Sequence, residues 1–154
     1  MITKLNNEVF YSNSSLPLLN KKNLNFLIKK AKKNKSHKSR ICTHANKNKK
    51  LHEMFVVHTK NYNVRPHKHK FKEESLYVIE GQADLIIYDN KGKKTKTVKL
   101  GTVKSGDIFY YRINNSVFHS LKIKSNYFIF HETTTGPFIR KNTIFANWQD
   151  KLNK

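Results

Sequence analysis

The chain has a single cysteine, Cys42, which excludes an internal disulfide and fits a reducing compartment. It also lacks an apolar run long enough to span a bilayer, and the opening MITKLNNEVF shows no signal-peptide core. These absences predict a cytoplasmic protein with no membrane span. At 154 residues the chain is long enough for one hydrophobic core but not for two.

Acidic residues are scarce, since 10 Asp and Glu stand against 31 Lys and Arg, for a formal net charge of +21. Arginine is scarce as well, and the sequence contains only four: Arg40, Arg65, Arg112 and Arg140. Phosphate-binding surfaces usually use arginine, because its fork pairs with phosphate bidentately. Enrichment in Lys, Asn and Ile is what an AT-rich coding genome produces without selection for a ligand. The charge therefore predicts a general attraction to small anions but no specific nucleic-acid partner.

If the lysine excess comes from coding bias, binding to duplex DNA should be weak and independent of sequence. It should vanish at moderate salt, because counterion release alone drives it. A fluorescence anisotropy titration at several salt concentrations checks this. Sub-micromolar, sequence-selective binding near physiological ionic strength would contradict it.

Residues 1–39 form a Lys- and Asn-rich extension that differs in composition from the rest of the chain. Within it, apolar residues recur at helical spacing, at Leu24, Leu27, Ile28 and Ala31. This spacing predicts a short amphipathic helix over about 19–33, with Pro17 and Asn20 as start signals. We expect the helix to pack against the outside of the main domain.

From residue 40 to about 150 the pattern changes to a period of two, which is typical of strands. Alternating runs occur at 51–58, 76–80, 84–88, 97–100, 107–113, 117–123 and 127–132. Turn-forming residues separate them at 89–92 and 104–107. Many short strands joined by tight turns predict a mainly β sandwich or barrel, with 40–150 as one domain.

The strongest chemical signal is the stretch HKHKFKEESLYVIEG, in which His67, His69, Glu74 and Gly81 follow the pattern HxHxxxxExxxxxxG. In an extended strand, residues two apart project to the same face, so His67 and His69 point together while Lys68 points away. Two imidazoles followed by a carboxylate are half of a metal coordination sphere.

His119 lies in a second alternating run and shares a face with Val117, Leu121 and Ile123. An imidazole on an apolar face is costly unless its ring nitrogens are satisfied, and a metal would satisfy them. The alternatives are a solvated basic tract for the stretch RPHKHKFK and a satisfied core histidine for His119. The combination of all four residues favours a metal site.

These residues resemble the two signature motifs of the cupin superfamily. The first motif, GxxxxxHxHxxxxExxxxxxG, is followed from His67 to Gly81, with Asn61 in place of the leading Gly. The second, GxxxxxPxGxxHxxxN, is degenerate: it begins at Gly106 and keeps His119, but its spacing is two residues longer and Asn114, Ser116 and Ile123 replace the Pro, Gly and Asn. The resemblance implies a double-stranded β-helix, the cupin jelly roll, with a short N-terminal helical extension.

A narrower resemblance is to the WbuC-type cupin metalloproteins. It is carried by RICTH at 40–44, HEM at 52–54, PHKH at 66–69, ES at 74–75, Glu132, GPF at 136–138 and Trp148. Members of that family are typically encoded among bacterial surface-polysaccharide (O-antigen) biosynthesis genes, and their reaction is unassigned. The resemblance implies a fold, a metal and a pathway.

The cupin resemblance implies one divalent metal ion, Fe, Mn, Ni or Zn, held by His67, His69, Glu74 and His119. Four protein ligands leave two positions of an octahedral sphere for water or substrate, and an open site is what catalysis requires.

Other polar residues are candidates to line the mouth of the site, and none has an assigned catalytic role: Arg40, His44, His52, Arg65, Arg112 and Glu132. In a Lys-dominated chain, a retained guanidinium such as Arg65 or Arg112 favours bidentate anion binding. The alternatives are that His44 and His52 are supporting or surface groups and that Glu132 only pairs with a lysine.

We therefore expect a metal-dependent enzyme that acts on a sugar or nucleotide-sugar by isomerisation or epimerisation. The metal would act as a Lewis acid, and a neighbouring His or Glu would move protons. The alternatives are an Fe(II)-dependent oxygenase and a non-catalytic, metal-containing sugar-binding protein. The expected partner is a small anionic sugar derivative, and a homodimer is left open.

Overall fold

The computed structural model describes residues 2–148, which form twelve β-strands, one α-helix and two short 3₁₀ helices. The strands are β1 (Ile2–Lys4), β2 (Val9–Ser12), β3 (Lys38–Cys42), β4 (Leu51–Thr59), β5 (His67–His69), β6 (Glu74–Glu80), β7 (Ala83–Tyr88), β8 (Lys94–Leu100), β9 (Tyr110–Ile113), β10 (Phe118–Ile123), β11 (Tyr127–Thr135) and β12 (Thr143–Phe145). The helix α1 spans Lys21–Lys33, and the 3₁₀ helices span Val103–Ser105 and Arg140–Asn142.

The strands form two sheets that face each other. One has seven strands in the order β1-β2-β3-β4-β11-β6-β9, and the other has five in the order β12-β5-β10-β7-β8. Strand β2 pairs with β3 in parallel, whereas the long pairs β4–β11 and β11–β6 are antiparallel. Neighbours in space are often distant in sequence, as expected of a jelly roll. The predicted mainly β jelly roll with one short helix is confirmed.

The period of two decides which side chains enter the space between the sheets. In β4, Met54 and Val56 pack in the core between the sheets, whereas Val57 packs on the outer face of the seven-stranded sheet. The core is apolar at its centre, with Leu76 and Phe130 only 1% exposed. Burial of such side chains contributes roughly 1.5–3 kcal/mol each.

Helix α1 covers the outer face of the seven-stranded sheet. Asn20 caps it by accepting a hydrogen bond from the Lys22 amide at 2.9 Å. Leu27 and Ala31 are fully buried against Ile41 and other apolar residues of the sheet. The predicted helix and its packing against the outside of the barrel are confirmed.

Strands β1, β2 and β3 were not predicted from the sequence. Strands β1 and β2 extend the seven-stranded sheet beyond β3, and the parallel pairing of Val9 with Arg40 joins them to it. The division of the chain at residue 39 stays a prediction. On the opposite side, β12 was also missed, and Trp148 packs on Phe118 with ring centroids 4.6 Å apart, over the outer face of the five-stranded sheet.

Gly81, the last residue of the first motif, has a structural role between β6 and β7. Its φ is +90°, which favours glycine. A Cβ at this position would collide with the Tyr127 carbonyl and lie 2.6 Å from the Ser125 hydroxyl. The motif therefore ends on glycine because the turn after β6 passes directly against the start of β11.

Within residues 2–148, no helix combines the length and the apolar character needed to cross a membrane.

Replacing Leu27 by Ala should lower the free energy of unfolding by about 2–5 kcal/mol, because it leaves a cavity between α1 and the sheet. The matched control is Lys29→Ala on the exposed face of the same helix, which should change it by less than about 0.5 kcal/mol. Urea denaturation measures both. Equal effects in the two variants would show that α1 is not anchored by its buried face.

Candidate metal centre

Three histidines meet on the inner face of the five-stranded sheet. Strands β5 and β10 are antiparallel neighbours with His67 directly opposite His119, and His69 follows on the same face two residues later. One ring nitrogen from each of the three lies within 4.8 Å of the other two. Lys68 points the other way, and its ammonium lies 4.4 Å from the Phe118 ring centroid on the outer face. The three imidazoles could therefore bind one metal ion.

The hydrogen bonds of the other ring nitrogens orient these imidazoles. His67 Nδ1 lies 2.8 Å from the Arg65 carbonyl, and His119 Nδ1 lies 3.0 Å from the Val117 carbonyl. A carbonyl only accepts, so each Nδ1 donates a proton to it, which leaves Nε2 as the ring nitrogen that a metal could bind. His69 Nδ1 lies 3.2 Å from the Thr143 hydroxyl of β12. Support of this kind at the second ring nitrogen is typical of metal-binding histidines.

Glu74, the first residue of β6, brings a carboxylate to the same place from the opposite sheet. Its oxygens lie 3.1 Å from His69 Nε2 and 3.5 Å from His119 Nε2. Burial would raise the pKa of this carboxyl, but the two imidazoles hold it well below its usual range. The side chain is therefore an anion at neutral pH, as a metal ligand must be.

The donor set fits a divalent metal. The Nε2 atoms of His69 and His119 are buried, yet neither makes a hydrogen bond of acceptable geometry, even to Glu74. Burial, and then His119, lower the pKa of His67 to about 4, so its imidazole is neutral at physiological pH. Burial would lower the pKa of His119, but contact with Glu74 raises it above its ordinary value. Three imidazoles around one carboxylate suit Fe(II), Mn(II), Ni(II) or Zn(II). Assignment of His67, His69, Glu74 and His119 as the ligands stays a prediction.

A cavity of about 190 Å³ adjoins these residues and is called the metal chamber. Its walls contain the four predicted ligands and several further residues: Arg40, His58, Val64, Lys72, Leu76, Tyr111, Leu121, Phe130, Glu132, Phe138 and Thr143. Next to it lies a larger space of about 570 Å³, the outer cavity. Arg40, Lys72, Glu132 and Phe138 line both spaces, so the two are neighbours.

Strand register explains how the seven-stranded sheet delivers polar side chains to these cavities. Across β6, β11 and β4, Glu74 aligns with Thr134 and then with His52. Two residues along β11, Glu132 aligns with Leu76 and Met54, and all three face inward. Polar groups thus lie on the inner face where a core strand would carry apolar ones.

Four of the six sequence candidates reach a cavity. Arg40 and Glu132 line both spaces, and His44 and His52 line the outer cavity. The rings of His44 and His52 are stacked, with centroids 4.1 Å apart and an interplanar angle of 4°. Burial lowers the pKa values of both imidazoles, so they are neutral at physiological pH.

Arg65 and Arg112 lie elsewhere and are not among the residues that line the metal chamber or the outer cavity. Arg112 pairs in register with Ser75, on the outward side of β9, and forms an ion pair with Glu73. Arg65 is exposed and lies 4.9 Å from the Phe145 ring centroid. Side chains alternate along β9, so Arg112 faces outward while Tyr111 faces the metal chamber. Residue type alone therefore did not identify arginines that line the two cavities.

Three titratable residues of the metal chamber were not picked out from the sequence. Lys72 lies with its Nζ 4.0 Å from Glu74 and is mostly buried. Tyr111 faces inward from β9, and burial, and then Glu74, raise the pKa of its phenol well above the ordinary value. Burial, and then Lys38, lower the pKa of His58 to about 3. The inward parity of β4 and β9 was a signal that could have identified His58 and Tyr111.

Glu132 has the electrostatics of an acid or base. Burial, and then the charge of Glu74, raise the pKa of this carboxyl to about 7, while Lys72 and Arg40 act in the opposite direction. Groups with a pKa near the working pH transfer protons most effectively. Its place on the wall of the metal chamber gives it access to whatever binds beside the imidazoles.

The facing sheets and the cluster of inward histidines define a cupin-fold protein with a candidate metal centre. Two solved structures share this fold. Protein SO0799 from Shewanella oneidensis is 8% identical, with a TM-score of 0.53 over 64% of this chain and 63% of that one. A mutant of the Bacillus subtilis oxalate decarboxylase OxdC is 20% identical, with a TM-score of 0.54 over 70% of this chain and 27% of that one. The chain thus spans less than two thirds of either, and the likeness is one of fold.

In sequence, the chain belongs to the family described as Domain of unknown function (DUF6016), whose model matches residues 19–100. The match runs from the start of α1 through β8. It contains His67, His69 and Glu74 and ends before His119. No curated protein matches the chain.

Replacing His69 by Ala should abolish stoichiometric metal binding, because one of three convergent imidazoles is lost. Chelation should lower the melting temperature of the parent protein, since the ligands come from distant strands and bind metal only in the folded chain. Elemental analysis of tag-free protein reconstituted anaerobically with Fe(II), Mn(II), Ni(II) or Zn(II) measures the stoichiometry.

The control for this experiment is His37→Asn, outside the cavity, where φ is 55° and Asn is tolerated. This variant should keep about one metal per chain. A parent protein that takes up none of the four ions would contradict the metal centre.

Proposed function

We propose that this protein is a metal-dependent cupin enzyme that transfers a proton on a small anionic sugar or nucleotide-sugar, as in isomerisation or epimerisation. The observation that carries the proposal is the position of Glu132. Its inward-facing carboxyl lines the same small chamber as three imidazoles suited to a metal. A purely structural metal site would have no use for such a group.

In the proposed reaction, a bound metal would polarise a carbonyl of the substrate and make the neighbouring C–H acidic. Glu132 then removes the proton from that carbon as a carboxylate and becomes a carboxylic acid. Isomerisation is completed when Glu132 returns the proton to the former carbonyl carbon and the adjacent hydroxyl proton moves to the former carbonyl oxygen. Epimerisation is completed when the proton returns to the opposite face of the original carbon. Either step regenerates the Glu132 carboxylate. Lys72 and Arg40 favour the ionised form of Glu132 between turnovers.

The proposed pathway is bacterial surface-polysaccharide (O-antigen) biosynthesis, as for WbuC-type cupins. Support comes from where the residues of that resemblance lie. Arg40, Cys42, His44, His52 and Met54 come from separate strands and loops but line one wall of the outer cavity. Residues shared for a common substrate are expected to cluster in this way. A cytoplasmic location and a homodimer stay predictions from the sequence.

Metal-loaded protein should catalyse exchange of a substrate C–H with solvent deuterium, observed by NMR across a panel of sugar phosphates and nucleotide-sugars. Glu132→Gln should slow this exchange by about 10²- to 10⁴-fold while metal stoichiometry is kept, because the proton acceptor is lost and the shape is preserved. The matched control is Glu53→Gln on the outward face of β4, near His131, which should leave the rate unchanged.

The same panel separates the alternatives. Substrate-dependent oxygen consumption would assign an Fe(II)-dependent oxygenase instead. A sugar that binds and is recovered unchanged, without deuterium, would assign a non-catalytic sugar-binding protein. Equal exchange rates in Glu132→Gln and the parent would remove Glu132 from the mechanism.

A further inference from the structure

Arg40 lies where the cavities of the protein meet. It lines the metal chamber, the outer cavity and a third space of about 180 Å³ beside Tyr62. Glu132 lines all three as well. A ligand that extends from the metal chamber into the outer cavity would pass both side chains.

The direction of Arg40 is set by its neighbours in β3. Ser39 donates a hydrogen bond to the Leu27 carbonyl of α1 at 2.7 Å, and Ile41 is buried under the same helix. These two contacts hold the side chains of Ser39 and Ile41 against α1. Because side chains alternate along a strand, Arg40 and Cys42 point to the opposite face of the sheet, toward the cavities. Strand β3 therefore presents Arg40, an exposed residue, at the mouth of the cavities.

The donors of Arg40 are available to a ligand. Among residues 2–148, no carboxylate lies within 4 Å of its guanidinium, whereas Arg112 is paired with Glu73. A guanidinium presents five donors in a fork that matches an oxyanion bidentately. A fork left without an acid partner beside a cavity is suited to a carboxylate or phosphate.

The charges around the cavities also favour an anion. Four cationic side chains line the three spaces, Lys38, Arg40, Lys47 and Lys72, against three carboxyl groups, Glu8, Glu74 and Glu132. The pKa values of His44, His52 and His58 are lowered by burial, so these imidazoles are neutral. The lining therefore carries an excess of about one positive charge before any metal is bound. Such an excess in a recess is expected to be balanced by an anionic ligand.

The two cavities differ in the size of the chemical group that each can hold. The metal chamber, at about 190 Å³, is below the usual range of ligand pockets, roughly 300–1,000 Å³, whereas the outer cavity, at about 570 Å³, lies within it. Apolar and ring surfaces from Met54, Phe138 and the stacked His44 and His52 line the outer cavity. A small reactive group fits the chamber, and a larger remainder fits outside.

We infer that Arg40, supported by Lys72, forms an oxyanion subsite between the metal chamber and the outer cavity, which holds a carboxylate or phosphate of the substrate. This inference rests on the proposed function for the reaction itself, but the subsite does not depend on a bound metal. It differs from the expectation that Arg65 and Arg112 bind the anion.

The test is isothermal titration of inorganic phosphate, glucuronate and glucose into chelator-treated protein at physiological ionic strength, after circular dichroism has shown that the protein is folded. Phosphate or glucuronate should bind, glucose should not, and the stronger of the two anions identifies the preferred oxyanion. Arg40→Gln should weaken anion binding about tenfold or more, because charge-assisted hydrogen bonds are lost. Arg40→Lys, which keeps the charge without the fork, should also weaken it.

The matched control is Arg112→Gln, which removes the same charge from the outward face of β9 and should leave anion affinity within about twofold. Equal losses in Arg40→Gln and Arg112→Gln would show bulk charge attraction and overturn the subsite. Failure of both anions to bind folded, chelator-treated parent would also overturn it.

Metal stoichiometry, measured separately on each variant, should stay unchanged. A protein that binds anions at Arg40 but takes up no metal would contradict the proposed function and keep the subsite.

Discussion

The antiparallel contact between β5 and β10 is the interaction on which the rest of the site depends. It sets His67 opposite His119, and the period of two then adds His69 to the same face. His119 is about fifty residues from His69 in sequence, and only this pairing brings the two segments together. The strand β5 has only three residues and lies between β10, which pairs with it at His67, and β12, which pairs with all three residues. The sheet thus supplies the rigidity that a metal centre requires.

The inner face of the seven-stranded sheet is apolar core toward one end of its strands and polar cavity wall toward the other. Toward one end it is an ordinary core, where Val78 and Phe130 are almost fully buried. Toward the other end the same strands carry Glu74, Glu132 and Thr134 on that face. Buried polar groups lower stability unless they have partners. The apolar half of the sandwich therefore provides the stability that lets the polar half remain a cavity.

The period-two pattern was sufficient to predict the longer strands and the jelly roll, because alternation records which face is buried. It did not predict β1, β2, β3 or β12, which have three to five residues and too few alternations to exceed chance. The same alternation of side chains places His67 and His69 on one face and His119 on the inner face of its own strand, so the sequence pattern identified all three imidazoles. The choice of Arg65 and Arg112 as anion-binding residues rested on residue type, and the structure places both away from the two cavities. The position of Arg40 on the cavity wall depends on the pairing of β3 with distant strands, which the sequence pattern does not record.

Strand β12 has a consequence for the order in which the protein matures. Thr143 lies opposite His69 and contacts its Nδ1, and Phe145 lies opposite His67, with ring centroids 5.9 Å apart. During synthesis, residues 143–145 leave the ribosome long after His67 and His69. Strand β10 is also made after β5, so both edges of β5 stay unpaired until β10 and then β12 have emerged. The predicted metal site is accordingly complete only when nearly all of residues 2–148 have been made.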